Sequence, residues 1–334
     1  MGFLKIYSPE DVVSIIKPRV GETKFGEKLN YLKSLDDLKN HPAKYVLLGI
    51  PEDIGVRANY GNPGTSKAWG NALGSILNIQ NNHFTNAENV ILLGEIDCDT
   101  QMEQAENITN KDPHFAEALG ELVTQIDHKV SEVVKAIVAA GKFPIIIGGG
   151  HNNSFGNIKG TSEALQKPTN CINFDAHTDF RSLEHRHSGN GFSYAFVDGF
   201  LEKYFIMGLH RNYTSEAVFN SMEKNSHRVK FNLFEDISIL QKISFSEALK
   251  EAENFCCMEN FGIELDMDAI EMMGSSAITP SGFTLTEARK FVSHFSKNEN
   301  ARYLHICEGS PKAGISANQV GKAIAYLVSD VFSS

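Results

Sequence analysis

No stretch of the 334-residue sequence approaches the roughly 18 consecutive apolar residues of a membrane-spanning helix. The opening "MGFLKIYSPEDVV" also lacks the apolar segment of a secretory leader. Cysteine is scarce, and the five present (Cys98, Cys171, Cys256, Cys257, Cys307) form no CxxC pair and no zinc-finger spacing. Cys171 and Cys307 sit in apolar, strand-like runs, which reads as buried free thiols in a reducing compartment. The expected location is the cytoplasm, where sequons such as Asn107-Ile-Thr109 stay idle. Positive charge is in deficit: 31 Lys and Arg against 41 Asp and Glu leave a net charge of −10. That balance argues against nucleic acid or an anionic membrane as the partner, since both need basic patches. Gly/Ser-rich and Pro-rich linkers are missing, as is any repeat of 20 to 50 residues, so a solenoid or a string of domains is not expected.

What the sequence does have is short apolar runs. Eight recur: "YVLLGI" (45–50), "VILLGE" (90–95), "PIIIGG" (144–149), "CINFDA" (171–176), "YFIMGL" (204–209), "RVKFNLF" (228–234), "FGIELDMD" (261–268) and "YLHICE" (303–308). Such continuously apolar runs mark strands buried on both faces of a parallel sheet. Between the second and third, Phe115, Leu119, Leu122, Ile126, Val130, Val133 and Ile137 form one helical stripe. Asp112 is the expected cap, Pro113 falls in the first turn, and Gly141 follows the end. A second amphipathic stretch, Gln319 to Phe332, is expected to cover one face of the sheet. The expected organisation is an N-terminal extension (1–44) packed on a single catalytic α/β domain (45–334).

Ionisable residues gather just past the C-terminal ends of these runs, where open α/β sheets bind ligands. "GGGH" ends at His151. "NFDAHTDFR" (173–181) sets Asp175, His177 and Asp179 at alternating positions, hence on one side of an extended backbone. "ELDMD" repeats that spacing with Glu264, Asp266 and Asp268, and the eighth run ends in Glu308. Each motif alone has an ordinary explanation as a solvated turn or loop. Together they bring four aspartates and two imidazoles to one rim, where like charges would repel unless dications intervened. An oxygen-rich set without thiolate suits Mn²⁺ or Mg²⁺, and the imidazoles favour Mn²⁺, with Fe, Co, Ni or Zn also open. Six ligands exceed what one catalytic ion can take while keeping an open position, so two ions sharing carboxylates fit better.

These segments resemble the arginase, or ureohydrolase, family, which includes arginase, agmatinase and formimidoylglutamase. Its signatures GG-D/G-H, D-A-H-x-D and S-x-D-x-D read here as "GGGH" (148–151), "DAHTD" (175–179) and "ELDMD" (264–268). The similarity extends to "GIPEDIGVRANYGNPGT" (49–65), "TPSGFTLTEA" (279–288) and "ICEGSP" (306–311). The resemblance implies a three-layer α/β/α fold around a mainly parallel eight-stranded sheet, and two Mn²⁺ per chain. His151, Asp175, Asp179 and Asp266 would hold one ion; Asp175, His177, Asp266 and Asp268 would hold the other. Asp179 would also orient the attacking hydroxide, and Glu308 would pair with the cationic amidine or guanidinium. Relatives of this kind assemble as homo-oligomers, which is the expectation here.

Departures from the family pattern bear on the substrate. Arginases carry a proton-shuttling histidine where this chain has Phe192, leaving His185 and His187 as replacement candidates. Formimidoylglutamases carry GGGH, an Arg two residues beyond D-A-H-x-D and S-G-x-P-F; Gly150, Arg181 and "SGNGF" match these except that Gly191 replaces proline. Arg181 is a candidate fork for a substrate carboxylate, or an ordinary ion-pair partner of Glu184. Ser188 and Asn190 match positions that touch the amino-acid end of arginine. Glu264 stands where the family has Ser, and Glu271 near its usual Asp. The leading expectation is hydrolysis of N-formimidoyl-L-glutamate to glutamate and formamide. Arginine hydrolysis to ornithine and urea is the alternative, and a catalytically inactive binding protein the remote one.

Overall fold

The fold comes from a computed structural model that describes residues 2–316 and 318–332. Its sheet has nine strands among those residues: β1 (Leu4–Ile6), β2 (Tyr45–Gly49), β3 (Val90–Ile96), β4 (Phe143–Ile147), β5 (Thr169–Phe174), β6 (Leu201–Leu209), β7 (Val229–Leu233), β8 (Phe261–Asp266) and β9 (Ala301–Cys307). They lie in the order β1-β3-β2-β4-β9-β8-β5-β6-β7. All eight apolar runs are strands, and all pair in parallel.

The ninth strand corrects the expected count of eight. β1 runs antiparallel to β3, with Lys5 opposite Glu95. Its sequence, "LKI", is three half-buried residues with a lysine in the middle. It therefore carries none of the continuous apolar signal that marks a doubly covered strand. Lys5 Nζ pairs with Glu95 at 3.2 Å and with Asp99 at 2.7 Å, which blunts the sheet edge with charge.

Two apolar layers flank the sheet because successive strand side chains point to opposite faces. Along β4, Ile145 and Ile147 enter one core cluster and Ile146 the other. The first cluster packs α1 (Ala68–Ile76) through Trp69, α5 (Phe245–Cys256) through Leu249, α6 (Leu285–Phe295) through Phe291, and α7 (Gln319–Phe332) through Leu327. Val12, Phe25 and Leu29 of the N-terminal segment join it. The second packs α2 (Phe115–Ala139) through Ile126 and Val133, α3 (Ser154–Leu165) through Ile158, and α4 (Gly191–Val197) through Phe192.

The helical stripe of α2 is buried from Leu119 to Ile137, and Gly141 takes the left-handed conformation after its end (φ 73°). Its start differs from expectation. His114, not Asp112, holds the cap position. The Asp112 carboxylate accepts from the His114 N–H at 2.8 Å, and its carbonyl from Phe115 N–H at 3.1 Å. Asp112 and Pro113 thus form a turn before the helix rather than its first residues.

Candidate metal centre

Four adjacent central strands, β4, β9, β8 and β5, end beside one another. This ordering brings residues more than a hundred positions apart to one rim. His151 follows β4, Glu308 follows β9, Asp266 ends β8 with Asp268 just beyond, and Asp175, His177 and Asp179 follow β5.

The β4 loop turns sharply through Gly148 (φ 96°) and Gly149 (φ 73°). A Cβ on Gly149 would lie 2.3 Å from Asn153 Nδ2 and 2.8 Å from Glu52 Oε1. Glu52, fully buried, ties this loop down. Its Oε1 accepts from Gly150 N–H at 2.9 Å and Asn153 Nδ2 at 2.6 Å, and its Oε2 from Ile54 N–H at 2.7 Å. Asp179 (φ 44°) and Glu308 (φ 60°) are non-glycine residues in left-handed conformations. Backbone strain of this sort collects at functional positions.

Around His151 Nδ1 lie Asp179 Oδ2 at 2.8 Å, Asp175 Oδ2 at 3.2 Å and Asp266 Oδ2 at 3.2 Å. None of these contacts is aligned as an N–H···O hydrogen bond, and Nδ1 is buried without a partner, as is Glu308 Oε2. The other oxygen of Asp175 faces His177 Nδ1 at 3.5 Å, and Asp268 Oδ2 approaches the same nitrogen at 4.0 Å. Potential ligand atoms fall into four tight groups among the described residues. Two consist of the expected ligands, His151–Asp175–Asp179–Asp266 and His177–Asp266–Asp268, and share Asp266. The other two bring in the buried thiol of Cys307, with His151 and Asp266 and with Glu264 and His305, which the expectation of a set without thiolate did not include. The carboxylates are braced from outside. Asn173 Nδ2 donates to Asp175 Oδ2 at 2.9 Å, His177 N–H to Asp175 Oδ1 at 2.7 Å, and Asp268 N–H to Asp266 Oδ1 at 2.6 Å. Ser276 Oγ donates to Asp268 Oδ2 at 3.3 Å.

The electrostatics are those of an anionic cluster in want of positive charge. Burial, then the neighbouring charges of Asp268 and Asp175, pushes Asp266 well above the usual carboxylate range. Burial and Asp175 push Asp179 up. Asp175 moves the other way: burial alone would raise it, but the two imidazoles hold it low. His177 is pushed up to about 10, because Asp175 and Asp268 outweigh the effect of burial. Protons or dications can supply the missing charge, and the buried, partnerless Nδ1 of His151, at the focus of three carboxylates, fits a cation.

Above the cluster opens a cavity of ≈ 380 Å³, lined among others by Asp179, Asp266, Asp268, Glu308, Arg181 and Ser188. Arg181 sits at its mouth, where Nη2 meets Glu184 at 3.2 Å and Nη1 donates to Asn59 Oδ1. It therefore both lines the cavity and pairs with the neighbouring acid. Ser188 Oγ accepts from Asn59 Nδ2 at 3.1 Å.

Other expected residues lie elsewhere. Asn190 is absent from the cavity wall: its Oδ1 accepts from Arg186 Nη1 at 2.5 Å and its Nδ2 donates to His185 O at 2.9 Å. Its amide braces the loop, so the side chain expected to touch the substrate does not line this cavity. Phe192 is fully buried behind His151, edge-on at 5.1 Å, and stacks on Tyr204 at 4.3 Å. Neither proposed replacement shuttle lines the cavity. His185 Nε2 lies 3.1 Å from Ala58 O. His187 Nδ1 accepts from Gly189 N–H at 3.0 Å, and burial pulls this imidazole down to about 4 despite Glu184. Glu271 is exposed and outside the cavity lining.

Sequence reasoning missed several residues. Arg186, in the loop, pairs with Asp127 of α2 at 2.9 Å, both nearly fully buried. Tyr213 lines the cavity and stacks between His177 (5.1 Å) and His210 (5.3 Å). The one available signal for Asp127 was an acid among helix positions that otherwise turn inward.

This fold and this rim define a member of the arginase class of α/β proteins. The sequence profile of the arginase family matches residues 43–333, and the chain belongs to that family. It is similar to the formimidoylglutamase of Macrococcus caseolyticus, 26% identical over 213 residues, covering 62% of this chain and 66% of the relative. It is equally similar to that of Streptococcus pyogenes, 26% identical over 219 residues, covering 61% and 66%. The match thus spans just under two thirds of these relatives' own length. Among solved structures, formimidoylglutamase from Bacillus subtilis superposes with a TM-score of 0.73 at 18% identity, covering 95% of this chain and 93% of that one. Trypanosoma cruzi formiminoglutamase with Mn²⁺ does so at 0.72 and 18% identity, covering 93% and 98%. These neighbours share the fold. No helix among the described residues is long and apolar enough to cross a membrane.

Proposed function

We propose that the chain is a binuclear manganese-dependent hydrolase of a linear amidine, converting N-formimidoyl-L-glutamate and water to glutamate and formamide. The observation that carries this reading is the pair of ligand groups sharing Asp266 on the floor of a cavity whose mouth holds Arg181. His151, Asp175, Asp179 and Asp266 would hold one Mn²⁺, and Asp175, His177, Asp266 and Asp268 the other, with Asp175 and Asp266 shared. Bound there, such a pair lowers the pKa of water toward neutrality and so supplies a nucleophile.

The chain's own residues do the rest. Glu308 Oε1 accepts from His151 N–H at 2.6 Å, which leaves Oε2 to accept from the amidinium N–H groups. Burial and the charge of Asp268 push Glu308 up to about 8, so an arriving cation relieves an unfavourable anion. Asp179 accepts a hydrogen bond from the attacking water and sets its line of approach. Arg181 offers its guanidinium to a substrate carboxylate. Collapse of the tetrahedral carbon needs a proton on the leaving amine; His185 and His187 lie outside the cavity wall.

Incubating the protein and Mn²⁺ with formimidoyl-glutamate, arginine, agmatine and guanidinobutyrate tests the reading. Formamide from the first is the expected result. Urea from arginine would establish the arginase alternative instead. Absence of bound manganese together with inactivity on every substrate would favour a binding protein.

A further inference from the structure

His151 has two faces. Nδ1 looks into the carboxylate cluster, while Nε2 looks away from it, toward Glu264 Oε2 at 3.4 Å, and is likewise buried without an aligned hydrogen bond. Glu264 is wholly buried within β8, at the position where the family pattern carries Ser. Its oxygens are held by two residues of the neighbouring strand. Tyr303 donates its hydroxyl to Oε1 at 2.9 Å, and His305 Nδ1 lies 2.6 Å from Oε2. His305 is the cross-strand register partner of Glu264, and its other nitrogen faces Gly148 O at 3.2 Å, in the loop that carries His151. Both ring nitrogens of His305 thus face oxygen atoms, one on Glu264 and one in the loop that carries His151.

A carboxylate, an imidazole and a phenol in the middle of a buried sheet are costly to desolvate, and apolar residues of equal volume are often no less stable. Their placement answers a different need. An imidazole that gives its Nδ1 lone pair to a cation must keep its proton on Nε2, and an acceptor behind the ring fixes that tautomer and strengthens the donor.

We propose that the buried Glu264–His305–Tyr303 trio is a positioning device for the cation that His151 holds, keeping the ring's proton on Nε2 and its lone pair aimed at the cluster. This rests on the binuclear reading above. Glu264 is a positioning residue, since Asp266 and Asp268, and not it, face the cavity.

The test titrates manganese(II) chloride alone into chelator-stripped protein by calorimetry, with electron paramagnetic resonance following coupling of the two ions. Wild type should take two equivalents. Glu264→Gln should keep one at wild-type affinity and bind the other roughly 10–100-fold more weakly, with the coupled spectrum lost at low Mn²⁺. Tyr303→Phe, a gentler change that retains the carboxylate, should weaken the same equivalent by a smaller factor. A merely structural role would lower the melting temperature of the metal-free variants without separating the two affinities, and that result overturns the proposal. So do two equivalents of unchanged affinity in both variants. A wild type that takes no manganese would overturn the binuclear reading itself.

Discussion

The rim and the loop beside it solve opposite electrostatic problems. At the strand ends, Asp175, Asp179, Asp266 and Asp268 crowd two imidazoles, and His151 Nδ1 and Glu308 Oε2 remain buried without hydrogen-bond partners. In the loop, Arg186 is just as buried yet fully matched. It donates to Asp127 at 2.9 and 3.2 Å, to Asn190 Oδ1 at 2.5 Å and to Asn152 O at 3.0 Å. The rim leaves buried polar atoms unmatched, whereas the loop is complete in itself. An unmatched buried cluster points to a ligand, and a matched one points to rigidity.

The largest effect should come from the rim. Asp266→Ala removes the one residue common to the His151–Asp175–Asp179 and His177–Asp268 groups. Turnover should fall by more than the roughly 10–100-fold that loss of an outer partner costs, and retained manganese should drop below two per chain after dialysis. Steady-state kinetics and metal analysis read the two together. Unchanged turnover would break the comparison at its first member.

Next comes the loop, where the loss should appear as stability. Arg186→Met leaves Asp127 buried and unpaired, at a cost of about 3–5 kcal/mol. Urea unfolding measures it, and adding Asp127→Leu should restore most of the loss. A single variant as stable as wild type would show that the pair does not hold the loop.

The same contrast decides what could be read from the sequence. Rim residues were legible because each follows a continuous apolar run, and strand ends are where an α/β sheet places its chemistry. Loop residues were not. From Arg181 to Asn190 the chain crosses open ground, and nothing in "RSLEHRHSGN" tells that Arg186 turns inward to Asp127 while Arg181 stays at the mouth. Asn190 matched a substrate-contacting position by alignment of motif, but its amide was needed by Arg186. β1 was missed because an edge strand with a central lysine carries no periodic signal. Glu264 was visible as an oddity. Its meaning required His305 and Tyr303, which register alone brings opposite and adjacent to it.

Between rim and loop stands Arg181. If it receives a substrate carboxylate, Arg181→Ala forfeits a charge-assisted bond of about 1.5–3 kcal/mol. KM for formimidoyl-glutamate should then rise roughly 10–100-fold, with kcat little changed. Any slow turnover of agmatine, which has no carboxylate, should be unaffected. An unmoved KM would mean that Glu184 has sole use of the guanidinium.

The smallest effect is the most discriminating, because it separates two residues that are nearly neighbours. Ser188 lines the cavity and is held by Asn59 Nδ2 at 3.1 Å; Asn190 is spent inside the loop. Ser188→Ala removes one neutral hydrogen bond, about 0.5–1.5 kcal/mol, so KM should change by a factor of roughly two to ten while the unfolding midpoint holds. Asn190→Ala strips an acceptor from buried Arg186 and should do the reverse, lowering the midpoint with KM nearly constant. Since the two side chains differ chiefly in which side of the loop they face, a KM shift of equal size in both variants would mean that this loop is one continuous substrate surface, and the division between an unfinished rim and a finished wall would have to be redrawn through it.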